Sequence, residues 1–101
     1  MSRSLVIEGQ LRPADAKPNA LRRNGKIPAV LYGPTIESSI SLVVDTRAAE
    51  LLVRDARPQK TPIQLSIPDL PWQGTVVLQE VQAHPAKDTL YHLSFLAKAE
   101  N

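Results

Sequence analysis

The chain has 101 residues, 43% hydrophobic and 22% charged, with no cysteine and a formal net charge of +2. That length suits one domain and not two, and the composition is that of a folded chain rather than a disordered one. Disulfides and cysteine-type zinc sites are excluded, no apolar run reaches the length of a membrane span, and the first residues lack the apolar stretch of a secretory signal.

The expected location is therefore cytoplasmic, in one domain over residues 1–101 with 97–101 as a frayed tail. The small net charge hides an asymmetry. Residues 1–36 carry six basic and two acidic side chains, whereas residues 37–101 carry six basic and eight acidic ones. A basic excess confined to the first third reads either as an anion-binding surface or as a solvated basic face.

Nine prolines divide the chain into short pieces, which argues against a helical bundle. Ser4 to Leu11 holds the apolar run Leu5-Val6-Ile7 and reads as a first strand. Arg12 to Lys17 is a loop. A short helix is expected over Lys17 to Gly25, with Pro18 suited to its first turn and Gly25 to the left-handed position beyond its last. Ile27 to Pro34 reads as a second strand closed by a Gly-Pro turn, and Ser39 to Val44 as a third.

Asp45 or Thr46 is placed to cap a helix through Arg54, with Ala48, Leu51, Leu52 and Val53 expected to face the core. Ile63 to Ile67 alternates as a half-buried strand should. Trp72 to Ala83 is a longer extended segment, Ala83 to Asp88 a turn, and Thr89 to Leu96 the last strand. Alternation there puts Tyr91, Leu93 and Phe95 on one face and Leu90, His92, Ser94 and Leu96 on the other. Six short strands and two helices without a βαβ rhythm predict a mainly β (α+β) fold, its mostly antiparallel sheet curled or closed.

The chemistry-bearing residues do not assemble a catalytic site. His84 and His92 lie eight residues apart with neither a metal-ligand spacing nor an H-E-x-x-H pattern. No serine sits in a G-x-S-x-G setting, and the four glycines are too scattered for a phosphate cradle. The expectation is a non-enzyme with no cofactor, no metal and no small-molecule substrate.

A nucleic-acid surface is better represented. Arg12, Lys17, Arg22 and Arg23 supply phosphate-neutralising charge, and Asn19 supplies a donor and an acceptor. Tyr32 stacks on a ribose or base, or fills the core; its neighbours Leu31 and Gly33 leave both open. Gln79, Gln82 and His92 add neutral hydrogen-bonding groups suited to the wide, shallow minor groove of RNA. Strict alternation puts Gln79 and Gln82 on opposite faces, so a β-bulge near Glu80-Val81 is required to turn both outward.

The segment from Lys17 through Gly25 and on through Lys26-Ile27-Pro28-Ala29-Val30-Leu31-Tyr32-Gly33 resembles the basic helix and "GKxPAVLYG" strand of the bacterial large-subunit ribosomal protein twenty-five (Ctc) family. Val81-Gln82-Ala83-His84-Pro85 and His92-Leu93-Ser94-Phe95 are similar to that family's "VQxHP" and "HxDF" stretches, with Ser94 where the aspartate usually stands. The likeness runs from about Val6 to Phe95. It implies a six-stranded β-barrel with flanking helices that binds 5S rRNA at its loop E region through the minor groove. It also implies RNA contacts from Arg12, Lys17, Arg22, Tyr32, Gln79, Gln82 and His92, with Asn19 and Arg23 of the basic segment completing the candidate set. Neighbouring large-subunit components are the further partners implied, for a ribosome-associated protein monomeric when free. The competing expectation is a stress-associated protein-interaction module built on the same barrel without RNA.

Overall fold

Alternation of apolar side chains closes this sheet on itself. In the computed structural model, which describes residues 5–13, 15, 17–34, 36–84 and 89–98 (backbone alone at Pro18, Asn19, Arg22, His84 and Thr89), six strands form a closed barrel. They are β1 (Leu5–Leu11), β2 (Lys26–Tyr32), β3 (Ile40–Asp45), β4 (Ile63–Ile67), β5 (Trp72–His84) and β6 (Thr89–Ala97), arranged in the order β1-β3-β2-β6-β5-β4. Four neighbouring pairs are antiparallel and two, β1 with β4 and β2 with β6, are parallel. The expected mainly β, mostly antiparallel architecture is the one observed.

Apolar residues of all six strands line the core, with strict alternation in strands such as β4. Leu31, Leu42, Ile63, Leu78, Leu93 and Phe95 are all completely buried, each worth about 1.5–3 kcal/mol relative to exposure. The helix α2 (Thr46–Asp55) completes this core by contacting β1, β2, β3 and β6 and contributing Ala49 and Leu52. It begins where Asp45, in an extended conformation, accepts a hydrogen bond from the Ala48 N–H at 3.0 Å.

The expected face of α2 needs correction: Leu51 is exposed, and Ala49 is buried in its place. With 100° between successive residues, Ala49, Leu52 and Ala56 align on one side, and Leu51 turns away from it. Ala48 and Val53 flank the stripe, partly buried.

The shorter helix α1 (Pro18–Arg23) packs against β2 and ends at Gly25, whose φ of 76° is the left-handed conformation expected there. Its Leu21 is buried, and so are Pro28 and Val43, although both lie on the outer side of the barrel. α1 therefore covers an outward-facing part of the sheet.

Two irregularities in the β5–β6 pairing reorient side chains. Leu78 faces Phe95 while Glu80 faces Ser94, leaving Gln79 as an extra residue. Gln82 faces His92 while Ala83 faces Leu90, leaving Tyr91 extra on β6. The second shift overturns the simple alternation expected for β6. Tyr91 is exposed rather than sharing the face of Leu93 and Phe95, and Leu90 packs against the core. Ala97, expected to belong to the tail, is instead the buried last residue of β6, and the Lys98 N–H donates to the Thr75 carbonyl at 3.1 Å. Residues 99–101 lie outside the described residues, as do positions 85–88 of the turn expected between β5 and β6.

Candidate nucleic-acid interface

Tyr32, Gln79, Gln82 and His92 lie on β2, β5 and β6, and the register of the sheet they belong to can be followed strand by strand. The Arg12 N–H, just past β1, donates to the Ser41 carbonyl at 3.1 Å. Ser41 pairs with Val30, Val30 with Ser94, and Ser94 with Glu80. At about 4.8 Å between strands, this row extends around the barrel from a cation at one end to a carboxylate at the other.

Gln82 and His92 form the adjacent row, directly opposite each other on β5 and β6. The bulge at Gln79 lies one step from its expected position at Glu80-Val81, and it has the expected consequence for register. Leu78 and Val81 both pack on the core side, so the three-residue interval from Gln79 to Gln82 no longer separates the two glutamines by strict alternation. Leu78 remains anchored through its carbonyl, which accepts the Gln59 N–H at 2.7 Å.

Tyr32 lies outside the core cluster and is half-buried on the outer side of β2, in register with Leu96. Of its two sequence-level roles, this position favours the outward one. Lys17 and Arg23 are exposed at the two ends of α1. Asn19 and Arg22 lie on the same helix, but their side chains are outside the described part, as is that of His84.

The residue that alternation alone missed is Glu80. It is exposed, and its Oε1 accepts a hydrogen bond from the Gln82 Nε2 at 3.3 Å. The spacing of two along a strand was the available signal, obscured by the bulge beside it.

Electrostatics at His92 reflect this arrangement. Burial holds its pKa below the usual 6.5, the Glu80 carboxylate opposes that shift, and the Arg12 guanidinium adds to it. Its Nδ1 is buried without a hydrogen-bond partner among the described residues. Burial therefore favours the neutral imidazole over the charged one at this position.

The candidates comprise cations on and before α1, amides and an imidazole on β5 and β6, and a phenol on β2. They do not make a nucleophile–base pair. Among the described residues no three His, Asp or Glu side chains are grouped to hold a metal ion.

The profile of the ribosomal L25p family matches residues 7–95. The chain belongs to that family. It is 99% identical over its whole length, and the whole length of the relative, to the large ribosomal subunit protein bL25 of Thermosynechococcus vestitus. It is 55% identical to the bL25 of a Nostoc species over 96% of this chain and 98% of the relative. The bL25 of Gloeothece citriformis is 47% identical over 94% of this chain but only 48% of its own length, so the ribosomal L25p region is about half of that relative. As a member of the ribosomal L25p family, the chain is a structural constituent of the large ribosomal subunit, and the family is not one of enzymes.

Proposed function

We propose that the chain binds 5S rRNA, at the loop E region and from the minor groove, through the outer face of β3-β2-β6-β5 together with α1. The observation that carries this reading is the direct pairing of Gln82 with His92 on the outer face, in the row beside Arg12 and Glu80. Arg12, Lys17, Arg22 and Arg23 neutralise phosphates, and Asn19, Gln79, Gln82 and His92 meet base edges and 2′-hydroxyls. Tyr32 stacks on an exposed ribose or base.

Neighbouring large-subunit components then lie against the rest of the barrel, where Val6 and Leu51 are exposed apolar contacts. The chain is monomeric before assembly and works in the cytoplasm on the ribosome.

A gel shift of the purified protein with total ribosomal RNA, followed by sequencing of the retained RNA, tests the partner. Recovery of 5S rRNA is the expected result. Absence of any RNA-dependent shift would overturn the reading and favour a protein-interaction module.

A further inference from the structure

We propose that Glu80 reads a base: its carboxylate accepts a hydrogen bond from the exocyclic amino group of a guanine presented in the RNA minor groove. This inference rests on the RNA-binding reading above and assigns a specificity-determining residue within it.

A carboxylate is an acceptor only, and beside phosphates it is repelled unless it meets a donor. Glu80 is nonetheless exposed on the outer face, two residues from Gln82 on the same strand and directly opposite Ser94. The Gln82 Nε2 donates to its Oε1 at 3.3 Å, which restrains the carboxylate against that face. The A-form minor groove is wide and shallow, and guanine N2 is the one amino group a base pair displays there.

Charge is distributed to match. Around His92 the Glu80 carboxylate and the Arg12 guanidinium act in opposite senses, so a carboxylate and a cation both stand near that imidazole. The remaining candidate cations, Lys17, Arg22 and Arg23, belong to α1 and the residue before it. Phosphates are therefore directed toward Arg12 and α1, and base edges toward Glu80, Gln82 and His92 on β5 and β6.

The test is an inosine scan. Each guanosine of the loop E region of 5S rRNA is replaced in turn by inosine, which lacks only the N2 amino group, and binding is measured with wild-type protein and with Glu80→Ala. At one position wild-type affinity falls about tenfold, as loss of a charge-assisted hydrogen bond requires. Glu80→Ala binds the unmodified RNA about tenfold more weakly, and inosine at that position costs it nothing further. Glu80→Gln, which keeps an acceptor but not the charge, falls between the two.

A flat wild-type scan overturns the inference, as does an inosine penalty that persists undiminished in Glu80→Ala. Tighter binding by Glu80→Ala overturns it too, because the carboxylate would then only repel phosphate. If 2′-deoxy substitution, rather than inosine, couples to Glu80, the donor is a ribose hydroxyl and base reading is overturned. In all four cases RNA binding itself survives; failure of wild-type protein to bind 5S rRNA at all would instead overturn the underlying reading and this one with it.

Discussion

Gly33 and Ala97 meet backbone to backbone where β2 and β6 end. A Cβ on Gly33 would lie 2.6 Å from the Ala97 carbonyl oxygen and 3.0 Å from its nitrogen. Gly33 also has a φ of 145°, which side-chain-bearing residues rarely adopt. The clash and the strain act together, so Gly33→Ala is expected to lose about 2–3 kcal/mol of stability. On a domain of this size that lowers the melting temperature by roughly 10 °C or more. At Gly25, with a φ of 76°, an added Cβ would meet nothing within 4 Å, so the same substitution costs only the backbone strain. Its expected loss is about 1 kcal/mol. Equal losses at the two sites would show that the Gly33–Ala97 approach relaxes freely.

Asp45 ends β3, pairs with Lys26, and caps α2 through the Ala48 N–H. Asp45→Ala leaves that amide without its side-chain acceptor at the start of the helix that delivers Ala49 and Leu52 to the core. The expected loss is about 1 kcal/mol in urea unfolding, with Asp45→Asn close to wild type. Hydrogen exchange should quicken first in α2. Unchanged exchange there in Asp45→Ala would show that packing alone holds the helix start.

Most strands and both helices are legible in the sequence because a local rule specifies each one: alternation in β4, a capping carboxylate before α2, a proline and a glycine bounding α1. Inference along one strand fails at Tyr91 and Leu90, where an extra residue shifts the register against β5. A bulge is a property of two strands, so alternation within β6 carries no sign of it. The bulge at Gln79 is legible only through the need for two amides to share a face. Glu80 is hidden for the related reason that its neighbours, Gln82 along the strand, Ser94 across it and the Arg12 charge near His92, come together only in the closed barrel. The strand order β1-β3-β2-β6-β5-β4, with its two parallel pairs, arises from tertiary closure that no single segment encodes.

The depressed pKa of His92 makes stability pH-dependent in a defined direction. The unfolded chain takes up a proton near 6.5, whereas the folded chain resists it until the pH is lower. Stability from this site is therefore full above pH 6.5 and is lost as pH falls from there through the folded-state value. In an NMR titration the His92 midpoint should fall below 6.5. His92→Gln should show a smaller decrease in melting temperature between neutral and mildly acidic pH than wild type. A wild-type midpoint above 6.5 would mean that Glu80 outweighs burial.

Charged and neutral candidates should separate in the salt dependence of RNA binding. Each phosphate neutralised releases counterions, so losing one such contact makes the plot of log affinity against log salt shallower by about one. Arg12→Ala and Arg23→Ala are expected to weaken binding and reduce that slope. Gln82→Ala is expected to weaken binding at every salt concentration with the slope unchanged, because a neutral amide displaces no counterion. It also releases Glu80 from the hydrogen bond at 3.3 Å, so its effect should be non-additive with Glu80→Ala. Glu37→Ala, at an exposed position between β2 and β3, serves as the control and should change neither quantity. A shallower slope for Gln82→Ala, or an unchanged one for both arginine variants, would reverse the assignment of phosphate and base contacts on this face.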